Sequence, residues 1–179
     1  MQQKHNPTLN FVQTPLPCTL PNPAMTTNFS YLPEAWQALA RTAIEAEQQV
    51  YAAPMYAAML CRKSLEEWIR WIYEHDDALE MPQDTSLNSL LPQQAFKELV
   101  APSQFGQINL IRKIGNNAVH SSVRIKSDEA LYAVKLLYNF TGWVVRLYDE
   151  ADLDVQFRLL RNSHNVDLEV GTSAHPIPI

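Results

Sequence analysis

Glycine and cysteine are scarce in this chain, and their scarcity excludes several kinds of functional site. The 179 residues include only four glycines, at positions 106, 115, 142 and 171, so no two of them lie close together. A phosphate-binding loop of the P-loop or dinucleotide type needs several glycines within a few residues, and neither can be assembled here. The two cysteines, Cys18 and Cys61, are too few for a disulfide framework or a structural zinc site.

Other signatures of metal or cofactor chemistry are also missing from the sequence. None of the six lysines has an acidic residue two positions before it, which removes the Asp/Glu-x-Lys half of a restriction-type nuclease site. The five histidines are scattered at positions 5, 75, 120, 164 and 175, and no His-Glu-x-x-His motif occurs. We therefore expect this chain to hold no metal and no cofactor of its own.

Positive charge is in short supply, which bears on the kind of partner. The chain carries 14 Lys and Arg against 19 Asp and Glu, a net charge of −5. A protein that grips many phosphates needs an excess of cations, so only a local cationic cleft remains compatible with nucleic acid. The N-terminus has no apolar signal region, and the longest apolar run, 50–61, is broken by Pro54. The sequence thus predicts a soluble cytoplasmic protein with no membrane segment.

The chain divides into three parts by composition and periodicity. Residues 1–27 contain five of the twelve prolines and are predicted to be an extended or disordered leader. Residues 28–150 have helical periodicity and predict an all-α bundle of four main helices with one or two short ones. Residues 151–179 are predicted to be a linker or tail, in which "VQFRLL" and "VDLEVG" could form a short β-hairpin.

Capping residues and prolines predict where the helices of the bundle begin and end. Ser30 is predicted to cap a first helix reaching about residue 51, with Pro33 in its opening turn, and Pro54 to open the second. Short helices are predicted at 86–91 and 92–100. Ser103 is predicted to cap a helix through His120, and Ser127 a long final helix to about residue 150.

Apolar periodicity predicts the core of the bundle. The predicted stripe of the first helix comprises Trp36, Leu39, Ala40, Ala43, Ile44 and Val50. That of the second comprises Cys61, Leu65, Trp68, Ile69 and Ile72, and that of the last Ala133, Leu137, Phe140, Val144 and Leu147. The tryptophans Trp36, Trp68, Trp71 and Trp143 could be exposed interface anchors, but core packing is the prediction that we favour.

The stretch "LIRKIGNNAVH", residues 110–120, places polar groups along one edge of a predicted helix. At about 100° per residue, the positions that share the core-facing stripe are Ile108, Ile111, Gly115, Ala118 and Val119. Gly115 lowers helix propensity by about 1 kcal/mol, which predicts the close approach of a neighbouring helix as compensation. Arg112, Asn116 and His120 follow at i, i+4 and i+8 along the border between core and solvent.

This polar edge has two interpretations. In the catalytic one, His120 is a general acid or base, Arg112 or Lys113 neutralises a phosphate and Asn116 orients it, a set suited to metal-independent RNA cleavage. In the structural one, Asn116, Asn117 and His120 bond to backbone groups at the helix C-terminus. Spacing alone favours the structural interpretation.

Three segments carry a resemblance to a known family. "NFSYL" at 28–32, "AAMLCRKSLEEWIRWIYE" at 57–74 and "INLIRKIGNNAVH" at 108–120, followed by a long aromatic-rich helix, resemble the N-terminal helical domain of type I restriction enzyme R subunits (HsdR) of the Escherichia coli K-12-type branch. The resemblance spans about residues 28–150. It implies a HEPN-like helical bundle, the superfamily to which that domain is usually assigned.

The resemblance also implies a function for the parent protein. Such a protein translocates DNA with ATP and Mg²⁺ and cuts it in phage defence, in a complex with specificity and methylation subunits. The nuclease and motor motifs are absent from this chain, which leaves an accessory domain for assembly or regulation. Its expected partners are other restriction-modification subunits or domains, with DNA only indirectly involved. The Pro-rich end favours an excised fragment over a complete protein.

The alternative that the resemblance leaves open is a HEPN-type ribonuclease or toxin-like protein, which would use His120 with Arg112 and commonly works as a homodimer. The catalytic HEPN pattern places Arg four to six residues before His and usually follows it with a polar residue such as Asn, Asp or His. Here seven residues separate Arg112 from His120, and the residue after Arg112 is Lys113. We therefore expect no catalytic residues in this chain, and a scaffold unrelated to restriction is a third hypothesis.

Overall fold

The computed structural model describes residues 27–120, 124–149 and 156–159, and they form an all-α bundle. No strand occurs among them, and four long helices pack together with two short ones, as predicted. The α-helices are α1 Gln37–Gln49, α2 Pro54–His75, α3 Leu87–Leu90, α4 Gln94–Leu99, α5 Pro102–His120 and α6 Ser127–Tyr148. None of these helices combines the length and the apolar character that crossing a lipid bilayer requires.

Helix α2 is the centre of the bundle, because it packs against α1, α5 and α6. The predicted stripe of α2 is completely buried, which confirms the most regular apolar pattern in the sequence; its members are Cys61, Leu65, Trp68, Ile69 and Ile72. The Trp68 ring stacks on Trp36, with ring centroids 5.4 Å apart. Trp71 and Trp143 are partly buried against the same core, so the tryptophans belong to the packing of the bundle.

The first helix begins later than predicted, and Ser30 does not cap it. Two short 3₁₀ helices, Asn28–Tyr31 and Glu34–Trp36, precede α1. Leu32 has extended backbone angles, φ −67° and ψ 130°, because the residue before a proline is kept out of the helical region. The chain therefore cannot continue as one helix through Pro33. The cap of the first 3₁₀ helix is Thr27, whose side chain accepts a hydrogen bond from the backbone N–H of Phe29 at 3.2 Å.

The last two long helices both begin earlier than their predicted caps allow, by two residues for α5 and by one for α6. Helix α5 begins at Pro102, not after Ser103, because proline fits the first turn, where its missing N–H costs nothing. Ser127 is the first residue of α6, and Lys126 precedes it in the capping position. The backbone N–H of Lys126 donates to the Glu129 carboxylate at 3.0 Å, which provides the anionic first turn that the helix dipole favours.

The prediction that Leu147 is buried is wrong. Ala133, Leu137, Phe140 and Val144 are fully buried, but the Leu147 side chain is exposed. Tyr148, one residue further along the helix, packs edge-on against Trp71 and donates a hydrogen bond to Asp76 at 2.7 Å. The stripe advances by four residues at this point instead of three, so Tyr148 takes the inward position.

A short segment after α6 is hydrogen-bonded to Asn28, at the start of the described bundle. Residues 156–159 have no regular structure. The ring of Phe157 packs edge-on against that of Tyr138, with ring centroids 5.4 Å apart. The Asn28 side chain donates to the Arg158 carbonyl at 2.7 Å and accepts from its N–H at 2.6 Å. The predicted leader, apart from Thr27, and the second half of the predicted hairpin lie outside the described residues.

Candidate functional site

Helix α5 approaches α2 closely at Gly115, as the sequence predicts. A Cβ atom built on Gly115 would lie 2.3 Å from Cβ of Arg62 and 3.0 Å from the Ala58 carbonyl oxygen. The first distance is shorter than real Cβ contacts, and the second is tighter than most of them and involves backbone, which moves little. The absence of a side chain at Gly115 therefore sets the spacing of these two helices.

The polar edge of α5 does not converge on one point within the chain. Arg112 is half-buried, and its Nη1 donates to the Asn88 side-chain oxygen on α3 at 3.0 Å. His120 is exposed at the last position of α5. His120 lies eight positions after Arg112 along the helix, about 12 Å along the axis at 1.5 Å per residue. Because the Arg112 guanidinium is bonded to α3, it and the His120 imidazole do not converge on one site in this structure.

The predicted structural role of this edge is wrong in its details. Within the described part of the chain, the side chains of Asn116, Asn117 and His120 make no hydrogen bond. The link to a neighbouring helix is made by Arg112. The bond to a helix carbonyl is made by Asn109, whose amide nitrogen donates to the Phe105 carbonyl at 3.1 Å.

Val119, predicted to be in the core, is 49% exposed, and Ile114 is buried in its place. It lies one turn beyond Gly115, where the neighbouring residues of α2, Tyr56 and Met59, are themselves exposed and cannot cover it. Together these three residues form the apolar end of a groove between α2 and the end of α5, with a volume of about 480 Å³. We call this the α2–α5 groove.

The rest of the α2–α5 groove is lined by Leu60 and by charged side chains that form ion pairs with one another. Glu66 pairs with Arg62 at 3.8 Å and also with Arg70. In the second pair the acidic residue comes first, which is the more favourable i,i+4 order on a helix. Lys63 pairs with Glu67 at 3.8 Å. Three cations, Arg62, Lys63 and Arg70, and two carboxylates, Glu66 and Glu67, line the groove, so its charged part has an excess of one positive charge.

Sequence reasoning missed this groove, although a signal was present. Met55, Tyr56 and Met59 lie on the face of α2 that otherwise carries its charged residues, and all three are substantially exposed. Large apolar residues in a solvated charged row indicate a contact surface better than they indicate a core.

The described residues contain no group of three or more His, Cys, Asp or Glu placed to hold a metal ion. Cys61 is fully buried, and desolvation raises the pKa of its thiol well above the usual range. A buried, protonated thiol is a poor nucleophile. Comparison of the chain with protein-family models, curated proteins and solved structures finds no match in any of the three.

Proposed function

We propose that this chain is the HEPN-like N-terminal accessory domain of a type I restriction R subunit, and that it acts by binding other subunits in the cytoplasm. In this proposal the domain assists the assembly or the regulation of the complex and catalyses no reaction itself. The parent protein's ATP-driven DNA translocation and cleavage belong to other domains of that family. The basis for naming the family is the resemblance of the three segments at 28–32, 57–74 and 108–120.

All three segments contribute to the packing of the helical bundle. The first contributes Tyr31, whose hydroxyl lies 2.8 Å from that of Thr141 on α6. The second is most of the central helix α2, and the third contains the close approach at Gly115. Because these are packing positions, the resemblance supports a helical bundle more strongly than it supports a catalytic site.

The observation that carries the binding role is the apolar end of the α2–α5 groove. Tyr56, Met59 and Val119 leave a contiguous group of large apolar side chains exposed beside ion pairs. Exposed apolar groups with a polar surround are typical of protein interfaces. A catalytic role lacks comparable support, because Arg112 and His120 are held apart.

Binding to the modification complex tests this proposal. The purified chain would be titrated with the specificity and methylation subunits of a type I system of the same branch, by isothermal titration calorimetry. We expect binding that falls at least tenfold in the double variant Met59→Asp, Val119→Asp, since a charge would be placed in an apolar contact. Tyr132→Asp is the matched control, because Tyr132 is equally exposed but lies on α6 and does not line the groove.

Three results would count against the proposal. They are the absence of binding by the unaltered chain, equal loss of binding in the Tyr132 control, and unchanged binding in the double variant. Circular dichroism of each variant would verify that the helical content is preserved.

The ribonuclease alternative retains one favourable observation, the exposure of His120 at the end of α5. In a homodimer, His120 of one copy could approach a cation of the other. Such an enzyme would cleave RNA without a metal, and activity would depend on His120.

A further inference from the structure

A second cavity lies where α3, α4 and α5 meet, and its composition differs from that of the groove. Its volume is about 280 Å³, and we call it the Arg112 pocket. The polar residues that line it are Asn88, Lys97, Asn109 and Arg112, and its apolar wall includes Leu91 and Phe105. None of the residues that line it is acidic, so it is a cationic pocket in a chain whose net charge is −5.

Neither cation of the pocket has a carboxylate partner among the residues that the structure describes. Every ion pair among the described residues involves Glu66 or Glu67 on α2, and neither glutamate lines the pocket. Arg112 is held by Asn88 through Nη1, while its Nε is shielded from solvent and has no acceptor. The bond to Asn88 uses one of the five N–H donors of the guanidinium, so other donors of Arg112 could bind an oxyanion in the pocket.

The two amides of the pocket complete a set of directed polar groups. The Asn88 oxygen is used by Arg112, so its amide nitrogen remains as a donor. The Asn109 nitrogen is used by the Phe105 carbonyl, so its oxygen remains as an acceptor. A ligand would thus meet two cations, one neutral donor, one neutral acceptor and the apolar side chains of Leu91 and Phe105.

We propose that the Arg112 pocket binds a small molecule that carries an oxyanion, either a carboxylate or a phosphate, beside a compact apolar or aromatic group. The planar guanidinium suits a two-oxygen group, and Lys97 adds a second positive charge. The apolar group would pack against Leu91 and Phe105. A volume of about 280 Å³ lies just below the usual range of sites for drug-sized ligands, which indicates a small compound.

This site is independent of the proposed function, because it shares no lining residue with the α2–α5 groove. Calorimetric titration of the chain with phenyl phosphate, benzoate and inorganic phosphate tests it, supported by the rise in melting temperature that a bound ligand produces. We expect phenyl phosphate or benzoate to bind more tightly than inorganic phosphate, because only the first two use the apolar wall. The tighter of these two shows which oxyanion the pocket prefers.

Two variants of the pocket and one control variant test whether a bound anion occupies the Arg112 pocket. Lys97→Gln should weaken binding about tenfold without disturbing the fold, since Lys97 is exposed and unpaired in the described structure. Arg112→Lys, which keeps the charge but loses the fork, should weaken binding by at least as much. Arg41→Gln is the matched control, because Arg41 is an exposed cation on α1 outside the pocket, and binding should not change.

The proposal is overturned if neither aromatic probe binds, or if inorganic phosphate binds as tightly as phenyl phosphate. It is also overturned if Lys97→Gln and Arg41→Gln have equal effects. The Met59→Asp, Val119→Asp variant should keep full anion binding, so a failure of the subunit-binding proposal would leave this one standing.

Discussion

The two faces of α5 are built from one helical stretch and differ sharply in what their residues do. On the inner face, Ile108, Ile111 and Gly115 are buried against α2 and α6. On the polar edge, Arg112 bonds to α3, while Asn116 and His120 make no side-chain bond within the described residues. The comparison teaches that regular spacing is strong evidence for packing and weak evidence for a shared chemical task. An i, i+4, i+8 series lies on one side of a helix, but in this structure its ends do not converge on one site.

The largest expected effect belongs to the inner face. Ile111→Ala should lower the free energy of unfolding by about 2–5 kcal/mol, because Ile111 is fully buried and truncation leaves a cavity. Val119→Ala, in the last turn of the same helix, should change it by less than about 0.5 kcal/mol, since that side chain is half exposed. Urea denaturation measures both, and similar losses would contradict the division of α5 into two faces.

The next effect concerns the helix contact itself. Gly115→Ala would place Cβ against Arg62 and force α5 away from α2, an overpacking cost of about 1–3 kcal/mol that exceeds the gain of about 1 kcal/mol in helix propensity. Gly106→Ala is the control, because a Cβ there meets nothing within 4 Å and only the gain remains. We expect opposite signs in urea denaturation, and a stabilised Gly115→Ala variant would show that the helices are not in close contact.

A smaller effect is expected for the one bond made by the polar edge. Loss of the Arg112–Asn88 hydrogen bond should cost about 0.5–1.5 kcal/mol. A double-mutant cycle with Arg112→Gln and Asn88→Ala isolates the pairwise energy. A coupling energy of zero would mean that Arg112 contributes nothing to holding α3 against α5.

The smallest effect is expected at the end of the edge. His120→Ala should leave the free energy of unfolding within about 0.5 kcal/mol of the unaltered chain, because the side chain is exposed and makes no hydrogen bond within the described structure. Thermal or urea denaturation checks this. A loss above 1 kcal/mol would restore the structural role that the sequence suggested for His120.

Sequence reasoning succeeded where one dominant physical term decides the outcome. The stripe of α2 is buried as predicted, because five large apolar residues at helical spacing leave no competing arrangement, and Pro54 begins that helix. The close approach at Gly115 could also be predicted, since an uncompensated glycine in a core stripe needs a reason. It failed at Ser30, where the restriction that Pro33 places on Leu32 outweighed a favourable capping residue.

The candidate site was less predictable, because its features depend on where helix ends lie in space. Val119 and Leu147 have the periodicity of core residues, yet both come in the last turn of a helix, where coverage depends on the neighbouring chain. The pairing of Arg112 with Asn88 joins residues 24 positions apart and follows from the tertiary packing of α3, which no local pattern encodes.

We propose that the polar edge of α5 carries no catalysis, and incubation of the protein with structured RNA in EDTA tests this most directly. The purified chain and its His120→Ala variant would be compared over a range of protein concentrations, up to those at which a homodimer would form. Cleavage of the RNA would be followed on denaturing gels. We predict no cleavage above the buffer control for either protein. Metal-independent cleavage by the unaltered chain that disappears in His120→Ala would contradict the account.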